Sequence, residues 1–326
     1  MRRREFITLV GGAAAWPVRA RAQQPGKLPV IGFLTGLSPD TYPDRTDAFR
    51  KGLHDAGYIE GRNISIEYRW AEGHYDRLQR LAADLVDRKV AVIAAVGGPT
   101  IALAARAATT TIPIVFQIGV DPVELGLVTS LARPGGNITG ITSMNIELGS
   151  KRLEFMHTLV PAATEIALLV NPTSPTNAAN DAKDTQATAG KIGVQLHVLQ
   201  ASSEDDFENV FAKILDLRVG GLLLGTDALF IKEHLIALSM HHSVPTIGPY
   251  RAFTEAGGLM SYGGDIADSW QLAGVYTGRV LKGEKPADLP VQQATKVQLV
   301  LNLKAAKRLG ITIPEAILAR ADEVIE

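Results

Sequence analysis

Leu222-Leu223-Leu224-Gly225-Thr226-Asp227 decides how this chain is read. The run is apolar for only a short length, is opened by Gly220-Gly221, and breaks abruptly into a hydroxyl and a carboxylate. Such a segment, with a helical pattern behind it, reads as a strand buried on both faces, the form that parallel strands take. Ligands of open α/β sheets bind just beyond the carboxyl ends of these strands. Thr226 and Asp227 therefore stand where a ligand is expected. Far upstream, Ile112-Pro113-Ile114-Val115-Phe116-Gln117-Ile118-Gly119-Val120-Asp121 has the same form. Two such strands, one in each half, predict two lobes whose strand tips face each other across a cleft.

Working outward, the apolar runs 28–35, 90–96, 114–118 and 137–142 read as strands, and 64–70 alternates with period two, as an edge strand does. Amphipathic stretches at 44–56, 75–87 and 100–108 separate them. The same rhythm restarts with helix 149–159, strand 166–170, helix 176–192, strand 194–199, helix 203–217, strand 222–226, helix 230–240 and strand 244–247. Alternating strands and helices imply parallel sheets covered on both faces. The expected fold class is α/β: two doubly wound parallel-sheet lobes joined by a multi-strand hinge. Residues 28–143 with 250–285 are assigned to the first lobe, and 144–249 with 286–326 to the second. Within the tail, Leu289–Gln293 is expected to pair with Val297–Asn302.

The length, 326 residues with 46% hydrophobic, suits two domains with cores of their own. A formal net charge of −1 lacks the clustered cations that nucleic acid requires. There is no cysteine, which excludes disulfides, thiolate metal sites and cysteine nucleophiles. Residues 1–22 carry a basic start (Arg2-Arg3-Arg4), a short apolar stretch from Phe6 to Trp16, and Ala20-Arg21-Ala22, the small-x-small pattern of a secretory signal cut after Ala22. Arg3-Arg4-Glu5-Phe6-Ile7 resembles a twin-arginine signal, and an ordinary signal with three arginines stays open beside it. Removing this segment, with five arginines and one glutamate, takes the formal charge from −1 to −5. The apolar stretch is shorter than the ~20 residues of a membrane span, so no membrane anchor is expected and the localisation is read as periplasmic.

The loops after strands supply the candidate ligand residues. Thr35 and Gly36 end the first strand. Gly97-Gly98-Pro99-Thr100 opens a helix with glycines that let backbone approach a ligand and with amides that suit a carboxylate. Asp121 precedes Pro122, the arrangement of a helix cap, and ligand contact is expected from the backbone of Val120 and Asp121. Thr142 ends the last strand of the first lobe and can offer a hydroxyl. In the second lobe Asn171, Thr226 and Asp227 lie at strand ends, and Tyr250 can form an aromatic wall. Asp227 is the sharpest candidate, as a carboxylate facing a ligand ammonium, with a helix cap as its alternative role. The motifs of hydrolase elbows, zinc helices, P-loops and dinucleotide sites are missing from the sequence, so no catalytic residue, cofactor or metal is assigned.

These residues also support a resemblance. Ile31-Gly32-Phe33, Phe49-Arg50-Lys51-Gly52-Leu53, Gly57-Tyr58, Asp121-Pro122-Val123, Arg133-Pro134-Gly135-Gly136-Asn137-Ile138-Thr139-Gly140, Lys151-Arg152-Leu153-Glu154, Asn171-Pro172, Asn302-Leu303-Lys304-Ala305-Ala306 and Ala321-Asp322-Glu323-Val324-Ile325 are together similar to the ABC transporter substrate-binding family that includes tryptophan- and tyrosine-binding lipoproteins. The resemblance implies a type I periplasmic-binding-protein fold. It further implies lobes that close on a small-molecule ligand (an amino acid, aromatic or not, or a related carboxylate) and present it to the transmembrane subunits of an ABC permease; a monomer is expected. Lipoprotein relatives carry a cysteine at the mature start. None stands here, which implies a freely soluble form. A sensory subunit of the same fold and an exported α/β hydrolase remain as alternatives.

Overall fold

The structure, a computed structural model, describes residues 28–40, 43–143 and 148–326. The signal segment, Thr41-Tyr42, and residues 144–147 of the expected first crossing lie outside the described residues. The first half runs β1 (Val30–Thr35), α1 (Pro43–Asp55), β2 (Ser65–Trp70), α2 (Leu78–Asp87), β3 (Val92–Val96), α3 (Pro99–Ala108), β4 (Ile114–Ile118) and β5 (Ile138–Thr142). The second continues with α4 (Gly149–Leu159), β6 (Glu165–Val170), α5 (Pro175–Ile192), β7 (Gln195–Gln200), α6 (Phe207–Asp216), β8 (Gly221–Leu224), α7 (Glu233–His241), β9 (Thr246–Gly248) and α8 (Arg251–Glu255). The last part is β10 (Met260–Gly264), α9 (Ile266–Leu281), β11 (Gln292–Gln293), β12 (Val297–Asn302), α10 (Leu303–Arg308), α11 (Glu315–Leu318) and β13 (Glu323–Ile325).

Two sheets result. One has the order β11-β5-β4-β3-β1-β2 and the other β13-β12-β10-β9-β8-β6-β7. Every pairing is parallel except β10 with β12. The apolar runs read as central strands are buried throughout: β3, β4, β5 and β8 expose no residue, while β2 at its edge is half-buried along its length. In both sheets the order reverses direction once, between β1 and β3 and between β6 and β8. A crevice opens at such a switch point because neighbouring crossover connections leave toward opposite faces. The loops after β1, β3, β6 and β8 therefore form the two facing lips.

The region 250–285 divides between the lobes. Met260–Gly264 was expected with the first lobe, but its backbone pairs with β9 and β12 in the second sheet. The helix that follows does return to the first sheet, where it packs along α1. Glycines permit that contact: a Cβ at Gly52 would lie 1.9 Å from the Gln271 carbonyl oxygen, and one at Gly274 would lie 2.1 Å from that of Phe49. The expected hairpin of Leu289–Gln293 with Val297–Asn302 does not form. β11 pairs in parallel with β5 in the first sheet, and β12 runs antiparallel to β10 in the second. Both segments carry strand character, but the chain changes lobe between them, and local pattern does not report that.

Beyond the segment 143–148, the chain crosses at Asp265 and at 294–296. These later crossings are tied to their neighbours, since Ala294 N donates to Thr142 O and Asp265 N to Lys296 O, each at 2.8 Å. No helix among the described residues is long and apolar enough to cross a membrane.

Candidate ligand site between the lobes

On the first-lobe lip, Gly97 and Gly98 have φ of +107° and +146°, conformations that L side chains rarely adopt. They turn the chain sharply from β3 into α3, with Pro99 at the first helical position. Their amides are already engaged: Gly97 N donates to the backbone and side-chain oxygens of Gln117 at 3.2 and 3.1 Å, and Gly98 N to Gln117 O at 3.2 Å. Gln117 in turn donates to Ser269 Oγ at 3.2 Å, fastening β4 to α9. The amides at the start of α3 that lack an intrahelical partner are therefore those of Thr100 and Ile101. Trp270 of α9, 1% exposed, packs against Phe33 with ring centroids 6.0 Å apart and floors this side. Arg45, near the start of α1, reaches across the cleft to Tyr250, its guanidinium 5.3 Å from the ring centre.

The second-lobe lip is built from side chains. Thr226 donates both its N–H and its hydroxyl to Asp181, at 2.6 and 2.9 Å, and its carbonyl accepts from Asn177 Nδ2 at 2.8 Å. Asp181 is buried beside Arg152, 3.8 Å away and equally buried. Arg152 also donates to Tyr262 O at 3.3 Å. The Asp227 carboxylate accepts from Leu229 N at 2.9 Å through one oxygen and from Tyr75 Oη, on the opposite lobe, at 3.3 Å through the other. One of its oxygens caps the short turn Ala228–Phe230, the alternative role expected of it, and the other faces the cleft.

Burial governs the electrostatics here. It pushes the Asp227 carboxyl above the usual carboxylate range, against the hydrogen bonds from Leu229, Asn171 and Tyr75. It lifts Asp181 to about 6, opposed by Arg152 and by the two bonds from Thr226. The Arg152 guanidinium is lowered by the same burial, with Asp181 opposing. Tyr75 and Tyr250 are raised, by burial first, and Asp227 adds to both.

Two spaces lie between the lobes. An inner chamber of about 30 Å³ is bordered by Arg45, Gly98 and Ser143 on the first lobe and by Asn177, Thr226 and Tyr250 on the second. An outer cavity of about 650 Å³ is lined by residues of both lips, among them Gly36, Tyr75, Asn171 and Asp227. The chamber has room for one or two small polar groups, and the outer cavity has the volume of an ordinary small-molecule site.

Of the residues singled out in the sequence, Gly36, Gly97, Gly98, Asn171, Thr226, Asp227 and Tyr250 meet in these two spaces. Thr100 follows directly behind them in α3. Thr35 is fully buried beneath the loop, its hydroxyl accepting from Leu37 N at 3.4 Å. Thr142 donates to Val120 O at 2.8 Å. Val120 and Asp121 line a separate groove with Lys183 and Asp184, and Asp121 caps the turn ahead of it, accepting from Val123 N at 2.7 Å. The sequence reading missed Arg45, Tyr75 and the Arg152–Asp181 pair, and it reads Asn177 only as a helix cap. Arg152 lies within a motif quoted for the family resemblance, and that was the available signal.

Comparison with known proteins identifies the family. Residues 30–325 match the family model described as ABC transporter substrate binding protein. A curated relative, a tyrosine-binding protein of Clostridioides difficile, is 30% identical over 265 residues, covering 81% of this chain and 75% of its own. Two crystal structures each superpose with a TM-score of 0.83. One is a conserved domain protein of Vibrio cholerae, 28% identical over 91% of this chain and 100% of its own. The other is an ABC domain of Streptococcus pneumoniae in complex with L-Trp, 26% identical over 92% and 100%. Transcriptional regulators, a Lac repressor among them, superpose at 0.59 to 0.60 with 11–16% identity, which is a likeness of fold alone. The chain belongs to the family of ABC transporter substrate-binding proteins, whose members bind ligands and do not transform them.

Proposed function

We propose that this protein is the exported carrier of an ABC importer, closing its lobes on one free amino acid and delivering it to the transmembrane permease. The observation that carries this reading is the distribution of charge across the cleft. The first lobe brings a cation, Arg45, to the inner chamber, and the second brings a carboxylate, Asp227, to its outer side. A zwitterion fits between them, its carboxylate toward Arg45 and the start of α3, and its ammonium toward Asp227. The α-carbon then lies at the mouth of the chamber, and the side chain extends into the outer cavity beside Tyr75. An aromatic amino acid is favoured by the tyrosine-binding relative and the tryptophan-bound structure. The signal pattern of residues 1–22, cut after Ala22, directs a soluble monomer to the periplasm.

Isothermal calorimetry on the mature protein with L-tyrosine and L-tryptophan tests this reading. Micromolar binding is expected, about 8 kcal/mol, and Asp227→Ala is expected to weaken it at least tenfold. Unchanged affinity in that variant removes Asp227 from the ligand.

A further inference from the structure

Asn177 lies in the first turns of α5, and one hydrogen bond fixes its orientation. Its Nδ2 donates to Thr226 O at 2.8 Å, and only the NH₂ end of an amide can face a carbonyl. The opposite end, Oδ1, is buried and accepts no hydrogen bond. Three other buried side-chain atoms among the described residues share that condition, on His157, Thr254 and Ser261, and none of those residues borders the interlobe chamber. Asn177 does border it, together with Thr226, Tyr250 and Arg45. A buried acceptor without a donor is rare in folded proteins. Because Asn177 borders the chamber, a donor carried in by a ligand, directly or through a bridging water, is positioned to meet that oxygen.

We infer that Asn177 Oδ1 is a second acceptor for the ligand ammonium, and that the site thereby selects molecules with an unsubstituted primary amine. The inference rests on the amino-acid reading above and extends it. An ammonium carries three N–H donors. One oxygen of Asp227 faces the cleft, where Tyr75 Oη already donates to it at 3.3 Å, and the other is held by Leu229 N, so the carboxylate alone leaves donors unmet. Asn177 and Asp227 flank the same residue: Asn177 binds the Thr226 carbonyl, which belongs to the peptide leading into Asp227. A ligand carboxylate cannot serve Oδ1, because both are acceptors. A ligand whose amine is missing leaves that oxygen buried and unpaired, a penalty that discriminates more strongly than the loss of an apolar contact.

The test compares L-tyrosine with 3-(4-hydroxyphenyl)propionate, the same acid without its amine. Both are titrated into the wild-type mature protein, Asn177→Ala and Asn177→Asp, with thermal unfolding recorded for each. The wild type is expected to prefer L-tyrosine. Asn177→Ala is expected to cut the ratio of the two dissociation constants about tenfold, by weakening L-tyrosine and sparing the propionate. Asn177→Asp keeps an acceptor oxygen while giving up the donation to Thr226 O, and it is expected to keep a preference for L-tyrosine that Asn177→Ala loses, even where affinity for both ligands falls. Equal weakening of both ligands in Asn177→Ala, or no weakening of either, overturns the inference while leaving the amino-acid reading intact. A wild type that binds neither ligand, L-tryptophan included, overturns the reading and the inference with it.

Discussion

The two lips of the cleft are built by different means. The lip after β3 is a backbone structure, with two glycines at positive φ pinned by the main-chain and side-chain oxygens of one glutamine. The lip after β8 is a side-chain structure, in which Thr226 hangs from Asp181, Asp181 faces Arg152, and Asn177 steadies the Thr226 carbonyl. A backbone lip is insensitive to pH and intolerant of a methyl group. A lip hung on buried charges responds to both charge removal and pH. The division of labour across the cleft is open to direct attack.

The largest effect is expected from Arg152→Met. It leaves the Asp181 carboxylate buried without its cation, which costs about 3–5 kcal/mol when one partner of a buried pair is removed. Denaturant unfolding measures this, and adding Asp181→Leu is expected to recover part of the loss. A change below about 1 kcal/mol would mean that the pair is not what supports this lip.

The next effect is one of pH. The folded protein holds the Asp181 proton up to about 6, above the ordinary carboxyl value of 3.8. The folded state therefore binds this proton more tightly than the unfolded chain does. Its contribution to stability is full below the unfolded carboxyl value and is lost as pH rises through about 6, up to about 3 kcal/mol in all. Subtracting the stability curve of Asp181→Asn from that of the wild type isolates it; a flat difference between pH 4 and 6 assigns the proton elsewhere.

The smallest expected effect is on the other lip. Gly98→Ala forces a side chain into a backbone region that is essentially reserved for glycine, at roughly 2 kcal/mol, and the cost is expected to be independent of pH over the same range. A pH-dependent cost in Gly98→Ala would erase the contrast between the lips.

How much of this was legible follows from the same contrast. Unbroken apolar strands mark themselves, and the rule that ligands gather at strand tips finds Gly97, Gly98, Asn171, Thr226 and Asp227. Arg45 and Tyr75 escape it because they come from the start of a helix and from the short turn Tyr75–Arg77, neither of them a strand end. Asp181 escapes for a different reason. The inward face of α5 reads Asp181, Thr185, Ala189 at four-residue spacing, so a search for apolar periodicity takes its polar side for solvent. The lobe assignment of 250–326 was missed in part because the chain passes between sheets at single residues or short turns. Both Met260–Gly264 and Gln292–Gln293 read as strands whichever sheet they join.

The tied crossings have a consequence for motion. Ala294 is bonded to Thr142 and Asp265 to Lys296, so the described crossings are tied to their neighbours and are expected to bend together. The Asp265 carboxylate also caps α9, accepting from Asp268 N at 3.0 Å, and that helix carries Ile266 and Trp270 on the chamber wall. A change in the angle between the lobes at this crossing is therefore expected to carry the wall of the chamber with it.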